Sequence, residues 1–174
     1  MAETAKTTLR PISLGFRAVG SEDSVAYTPC MGVLKGLTVA QDTPDSTEIE
    51  AQFYDTPFDI VYDGKPLTFT FELANYKLSD LPKLFGGTYQ AADASNDESY
   101  EAPSNVTTNE FEWKLGYSKG NKALVIYKGL TMATVKQDDG GALNFSVTIT
   151  ALTYTDGDGV DHLYKIVGDP KTGG

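Results

Sequence analysis

The sequence predicts a mainly β fold: one β-sandwich- or barrel-like domain over residues 1–174, with one short flanking α-helix. Three observations lead there. Leu67-Thr68-Phe69-Thr70-Phe71-Glu72-Leu73 alternates strictly, so a period of two places Leu67, Phe69, Phe71 and Leu73 on one face of a strand and Thr68, Thr70 and Glu72 on the other. Similar short runs recur to the end of the chain, separated by Gly, Asp and Pro turns. Only LSDLPKLFGG, at 78–87, reads as a helix. A chain of 174 residues suits one domain, and it shows no internal repeat and no linker.

In order, Thr7 to Val19 reads as a first strand region broken by Pro11, and 20–24 as a polar loop. Met31 to Ala40 is a second apolar-leaning segment in which Gly32 and Gly36 signal a bulge or a close backbone approach. The Pro/Asp/Ser content of 41–46 marks a loop. Glu48 to Tyr54 alternates, with Ile49, Ala51 and Phe53 opposite Glu48, Glu50 and Gln52. Phe58 to Tyr62 follows, and Asp63-Gly64 signals a hairpin into the Leu67 strand. In the helix, Ser79 is the expected N-cap and Asp80 suits the N-terminal dipole. Pro82 falls in the first turn, where its missing N–H costs little. Leu78, Leu81, Leu84 and Phe85 form the apolar stripe, and Gly86-Gly87 ends it. So short a helix must dock on a sheet.

Residues 88–109 are polar and acidic without periodicity, a long loop of the kind that is functional or disordered. Phe111, Trp113 and Leu115 then alternate with Glu110, Glu112 and Lys114. Ala123 to Lys128 and Leu130 to Lys136 are strand-like, and 138–141 is a turn. Leu143, Phe145, Val147, Ile149 and Ala151 alternate with Asn144, Ser146, Thr148 and Thr150, and His162 to Val167 is the last strand before a polar tail.

Residue chemistry argues against catalysis. With one cysteine and one histidine, a Cys/His zinc site within one chain is excluded. Cys30 reads as a small buried apolar residue, and His162 lies in an Asp/Gly turn with no nucleophile-elbow sequence in the chain. Asp156-Gly157-Asp158-Gly159-Val160-Asp161 looks like a calcium loop, but Val167 stands where an EF-hand needs its bidentate Glu. Asp-Gly is instead what a hairpin turn requires. The pairs Glu48/Glu50 and Glu110/Glu112 sit two apart on polar strand faces, where solvated carboxylates belong, with no sign of the divided acid and base roles of a glycosidase. No cofactor is expected. Neither a secretory h-region nor a membrane span is visible. The net charge of −10 favours solubility and repels phosphate backbones. It fits an ordinary solvated surface and equally a wall that lets nucleic acid pass. Tyr89, Tyr100, Tyr117 and Tyr127 read as packing or interface residues, with sugar stacking as the alternative.

The segment TEIEAQFYDTPFDIVYDGKPLTFTFELANYKLSDLPKLFGG, at 47–87, resembles the core of the major tail tube proteins of long-tailed bacteriophages and their prophage relatives. The stretches 109–117 and 142–154 fit the same layout more loosely, so the resemblance spans some two thirds of the chain. It implies a non-catalytic virion protein with a β-sandwich-like fold and one flanking helix. It also implies self-assembly into hexameric rings stacked as a tail tube for genome delivery, put together in the host bacterial cytoplasm. The implied partners are copies of itself and other tail proteins such as the tape measure and tail-end proteins, with DNA passing through unbound and no membrane anchor. The long loop at 88–109 and the terminal arms would bridge rings, making Tyr89, Asp93, Asp97, Tyr100 and Glu101 candidate inter-ring contacts. Glu48, Glu50, Glu110 and Glu112 are the candidate lumen-facing carboxylates, with external solvent as their alternative surroundings. In a narrow lumen few points lie further from the wall than a Debye length of about 8 Å. The hydroxyl face of Thr68, Thr70, Ser146, Thr148 and Thr150 carries little charge and suits cover by a neighbour. The alternative function is a non-catalytic binding module, either carbohydrate-binding or a virion decoration protein.

Overall fold

A computed structural model describes residues 11–30, 33–41, 45–49, 59–63, 66–104, 109–117, 122–137, 140–141 and 143–168. The proposed terminal arms lie outside these residues. The strands are β1 (Pro11–Ala18), β2 (Thr28–Pro29), β3 (Val33–Gln41), β4 (Asp45–Ile49), β5 (Asp59–Asp63) and β6 (Leu67–Ala74). After α1 (Leu81–Phe85) come β7 (Thr88–Gln90), β8 (Ser99–Glu101), β9 (Asn109–Tyr117), β10 (Ala123–Gln137), β11 (Leu143–Ala151), β12 (Tyr154–Thr155), β13 (Asp161–His162) and β14 (Tyr164–Val167). The fold is mainly β and sandwich-like, as the alternating runs predict.

Eight strands form one antiparallel sheet in the order β2-β1-β9-β10-β11-β6-β3, with β14 paired to β10. In a flat sheet β9 and β6, three places apart, would lie about 14 Å from one another at the usual strand spacing. Yet the ring of Trp113 on β9 lies 5.8 Å from Phe69 and 6.3 Å from Phe71 on β6. The sheet must therefore fold over, and β10 is where it does so.

The first part of β10, Ala123 to Ile126, pairs with β9 and β14, and the part from Gly129 onward runs beside β11. A bulge between Ile126 and Gly129 separates the two parts. The extra residue reverses which side chains face inward: Leu124 and Ile126 before it, Gly129 and Thr131 after it. Gly129 has to be glycine. A Cβ there would sit 2.7 Å from Ile149 Cγ2 and 2.8 Å from Trp113 Cδ1. The sequence suggests two short strands at 123–128 and 130–136; the structure has one 15-residue strand bent between them.

Trp113 is the hub of the core, 1% exposed, with Phe16 and Phe111 as well as Phe69 and Phe71 around it. Its indole N–H donates to the Thr131 hydroxyl at 3.1 Å. Leu67, Phe69, Phe71 and Leu73 are buried on β6 and Phe145, Val147, Ile149 and Ala151 on β11, as their alternation predicts. A register shift is present in β3 between Lys35 and Thr38, at Gly36, while Gly32 lies outside the described residues.

Several expectations are corrected. Strand β5 pairs with β4 and not with β6, so Asp63-Gly64 does not join a β5–β6 hairpin. A turn signal fixes a local reversal, but β6 finds longer apolar partners in β3 and β11. The strand expected over 48–54 is found at Asp45–Ile49, and 50–58 lie outside the described residues. The region 88–109 is no featureless loop: β7 and β8 pair Thr88 with Glu101, Tyr89 with Tyr100 and Gln90 with Ser99. Ser79 does not cap the helix, because Leu78–Asp80 is itself a 3-10 turn and Asp80 holds the cap position without a side-chain cap bond. Asp80 instead accepts from Lys83 Nζ at 2.8 Å. Leu81 and Leu84 are buried, and Phe85 stacks on Phe145 at 5.3 Å, which docks the helix on the sheet.

Candidate functional site

The candidate lumen carboxylates do not share one environment. Glu110 is exposed and lies 3.1 Å from Lys128 Nζ. Glu112, expected on a solvated face, is only 4% exposed. Its place on β9 is opposite Arg17 on β1, and the segment after β1 folds over both. A carboxylate enclosed in this way does not stand on the solvated strand face expected of it. Glu48 lies in β4, and Glu50 is outside the described residues.

The group around Glu112 is a buried polar cluster. The guanidinium of Arg17 donates to Glu112 Oε1 at 2.8 Å and to the carbonyls of Glu22 at 3.0 Å and Val25 at 2.9 Å. It also lies 4.4 Å from the centre of the Tyr27 ring. The Tyr27 hydroxyl donates to the same Glu112 oxygen. Arg17 is thus held more firmly protonated than usual, first by its bond to Glu112. Burial, followed by the bond to Glu112, pushes the Tyr27 phenol well above its ordinary value. The cluster pins the 20–30 segment to the sheet. Sequence reasoning missed it because Arg17 and Glu112 are 95 residues apart, and only the β1–β9 register brings them together.

The candidate inter-ring residues fall on the β7–β8 hairpin. Tyr89 is exposed and its hydroxyl donates to Glu98 Oε1 at 2.8 Å. Asp93 organises the tip. Its Oδ1 accepts from the backbone N–H of Ser95 at 2.7 Å and of Asn96 at 2.8 Å, which hold its carboxyl below the usual range. Tyr100 is half-buried and donates to the Gly86 carbonyl at 2.9 Å. Asp97 and Glu101 are exposed. Tyr100 and the close approach of Gly87 to the Glu101 carbonyl hold the hairpin's base against the helix end.

Of the tyrosines for which sugar stacking is the alternative, Tyr89 and Tyr100 pair across the β7–β8 hairpin, and the side chain of Tyr117 lies outside the described ones. Tyr127 stacks on Tyr154 with centroids 6.1 Å apart and lies 4.9 Å from the His162 ring, far in topology from the β7–β8 hairpin. His162 Nε2 pairs with Asp156 Oδ2 at 2.7 Å, while Asp156 Oδ1 accepts the N–H groups of Asp158 and Val160 at 2.9 Å each. The tempting calcium loop is therefore a hairpin turn closed by its own first aspartate. Burial pushes the Cys30 thiol up to about 12, which leaves it without thiolate near neutrality.

Alternation alone does not show where apolar side chains remain outside. On β14, Tyr164, Ile166 and Val167 are exposed, Ile166 by 70%. Val39 on β3 is exposed too, and a cavity of about 310 Å³ lies between these strands over Leu67 and Leu124. At the other end of β10, Val135 is 65% and Leu143 58% exposed. Both continue the inward face of the sheet past the core. Alternation identifies which face a residue takes, but not where the opposite layer stops.

Among the described residues no group of His, Cys, Asp and Glu is arranged to hold a metal, and no helix is long and apolar enough to cross a membrane. No protein-family model matches the chain, and no curated protein matches it in sequence.

Proposed function

We propose that the chain is a self-assembling structural subunit of a phage-type tail tube, built as hexameric rings stacked around a conduit for DNA. The observation that carries this reading is the unpartnered apolar strand β14. Among the described residues it pairs on one side only, with β10; Tyr164 and Ile166 are exposed on the face they share with Ile126 and Leu124, and Val167 is exposed on the other. Exposed apolar strand edges are sites of pairing with another chain unless something covers them, and contiguous apolar surface marks interaction sites. The low-charge hydroxyl face supports the same reading. Its Thr68, Thr70, Ser146, Thr148 and Thr150 are only half-buried, and Thr70 already bonds across strands to Thr38 at 2.7 Å. The net charge of −10 suits a wall that DNA must not adhere to.

The test is electron microscopy of concentrated protein in sulfate, a salt that strengthens apolar burial. Rings with six-fold averages, or tubes built from them, are expected. Separate single particles throughout a concentration series in sulfate, together with monomers only after chemical cross-linking, would sink the reading.

A further inference from the structure

We infer that the two ends of β10 are the two halves of a head-to-tail joint: the β10–β11 tip of one copy seats in the groove between β14 and β3 of the next. This rests on the self-assembly reading and adds to it which surfaces meet.

The groove lies where the two layers of the sandwich part. Leu124, at the start of β10, and Leu67 of β6 form its floor, while Val39 and Ile166 stand at its sides. Its volume of about 310 Å³ equals roughly ten waters at about 30 Å³ each, room for a pair of aliphatic side chains. Among the described residues no side chain fills it.

The tip has the matching shape. Val135 faces Phe145 across the ladder, and Leu143 faces Gln137, so Val135 and Leu143 are diagonal neighbours. Diagonal neighbours on one sheet face are about 7–8 Å apart, and they present one small apolar ridge. Both belong to the inward face, and Val135 also borders a cavity lined by Phe85, Tyr100 and Pro103, so among the described residues the ridge is an edge of the core left largely open.

The two features lie at opposite ends of a strand of 15 residues, about 45 Å along its path at about 3.3 Å per residue. One copy cannot bring its own ridge to its own groove. A second copy can, and a contact between different surfaces repeats from copy to copy until it closes as a ring or continues as a filament.

Charge agrees with this pairing. Lys122 lies at the groove, and the β9–β10 connection also carries Lys119. The β10–β11 connection carries Asp138 and Asp139. In sequence, then, a basic connection precedes β10 and an acidic one follows it, opposite signs in a chain whose net charge of −10 otherwise makes its copies repel.

The experiment uses the full chain with Ile166→Asp, which spoils the groove, and Val135→Asp, which spoils the ridge. Both sites are largely exposed, so each variant is expected to keep the wild-type circular dichroism and melting temperature. Light scattering in sulfate should show each variant needing about tenfold more protein to assemble, or more, the effect of losing one buried apolar anchor. Mixed one to one, the variants retain one good ridge and one good groove between them. Sedimentation should then show a dimer that grows no further. Wild-type assembly with both variants assembling at the same concentration would overturn the joint and leave the self-assembly reading standing. Variants that fail alone and give no capped dimer on mixing would overturn its head-to-tail sense. Wild-type protein that never assembles would overturn both.

Discussion

Removing Arg17 from the buried cluster should cost more than removing its partner. Consider Arg17→Met. The lost guanidinium supplies Glu112 with its only charged partner among the bonds described, leaving the carboxylate with the Tyr27 hydroxyl alone. Glu112 stays 4% exposed unless the 20–30 segment lifts away. Breaking a buried pair from one side costs about 3–5 kcal/mol, against a total stability of about 5–15 kcal/mol for a domain. Asp23 offers no compensation: it lies 3.7 Å from the guanidinium, and its side chain is 99% exposed, where ion pairs contribute about 0–1 kcal/mol. Glu112→Gln is milder, about 1–3 kcal/mol, because it leaves hydrogen bonds unmade but no unpaired anion. Arg17 would still have the Glu22 and Val25 carbonyls. In the double variant Arg17→Met with Glu112→Gln, the loss should fall well short of the sum of the single losses. Urea denaturation followed by circular dichroism measures all of these. A loss below about 1 kcal/mol for Arg17→Met, or strict additivity in the cycle, would show that the pair is not the buried, coupled unit described.

Gly129→Ala should destabilise by about 1–3 kcal/mol through overpacking, since its Cβ would enter space held by Ile149 and Trp113; a variant as stable as wild type in urea would contradict the close approach. The Asp156 carboxyl is held below its ordinary 3.8, first by His162 and then by the Val160 amide. Its stabilisation of the β12–β13 hairpin is therefore complete above 3.8 and lost as pH falls through the lower folded value. Amide exchange at Asp158 and Val160 should accelerate in that window, and His162→Ala should bring the onset to higher pH; identical profiles would refute the linkage. The Tyr27 phenol is raised above 10.0, first by burial. Its contribution is intact below 10.0 and is lost as pH rises beyond it, so Tyr27→Phe should flatten the alkaline loss of stability. An equal loss in both proteins would argue against it.

The inward faces of β6, β9 and β11 were legible because strict alternation over six or more residues admits one reading, and Phe69, Trp113 and Ile149 lie where it puts them. Partner choice was not. Asp63-Gly64 looks like a hairpin whichever strand β5 joins, and β4 took it. The β7–β8 hairpin was hidden because its strands are three residues each and wholly polar outside Tyr89 and Tyr100; Asp93 and Gly87 hold it together by backbone geometry, which leaves no hydrophobic period. Glu112 misled for a related reason. A carboxylate at a polar position of a strand is solvated unless another segment covers that face, and the cover here comes from Tyr27 and Arg17, nearly the length of the sheet away in sequence. The exposed ridge and groove depend on where one layer ends relative to the other, a quantity that no local pattern encodes.

β10 also has a mechanical meaning. Its backbone runs unbroken through both layers, hydrogen-bonded to β9 and β14 near one end and to β11 toward the other. Tension applied between its ends would load those ladders in shear, so that many bonds share the force at once and none can be peeled singly. The bend at Gly129, packed against Trp113 and Ile149 and flanked by the buried Ile126 and Thr131, ties such a pull to the centre of the core. A strand arranged in this way is a tie rod: it carries load from one exposed end of the subunit to the other with little stretch.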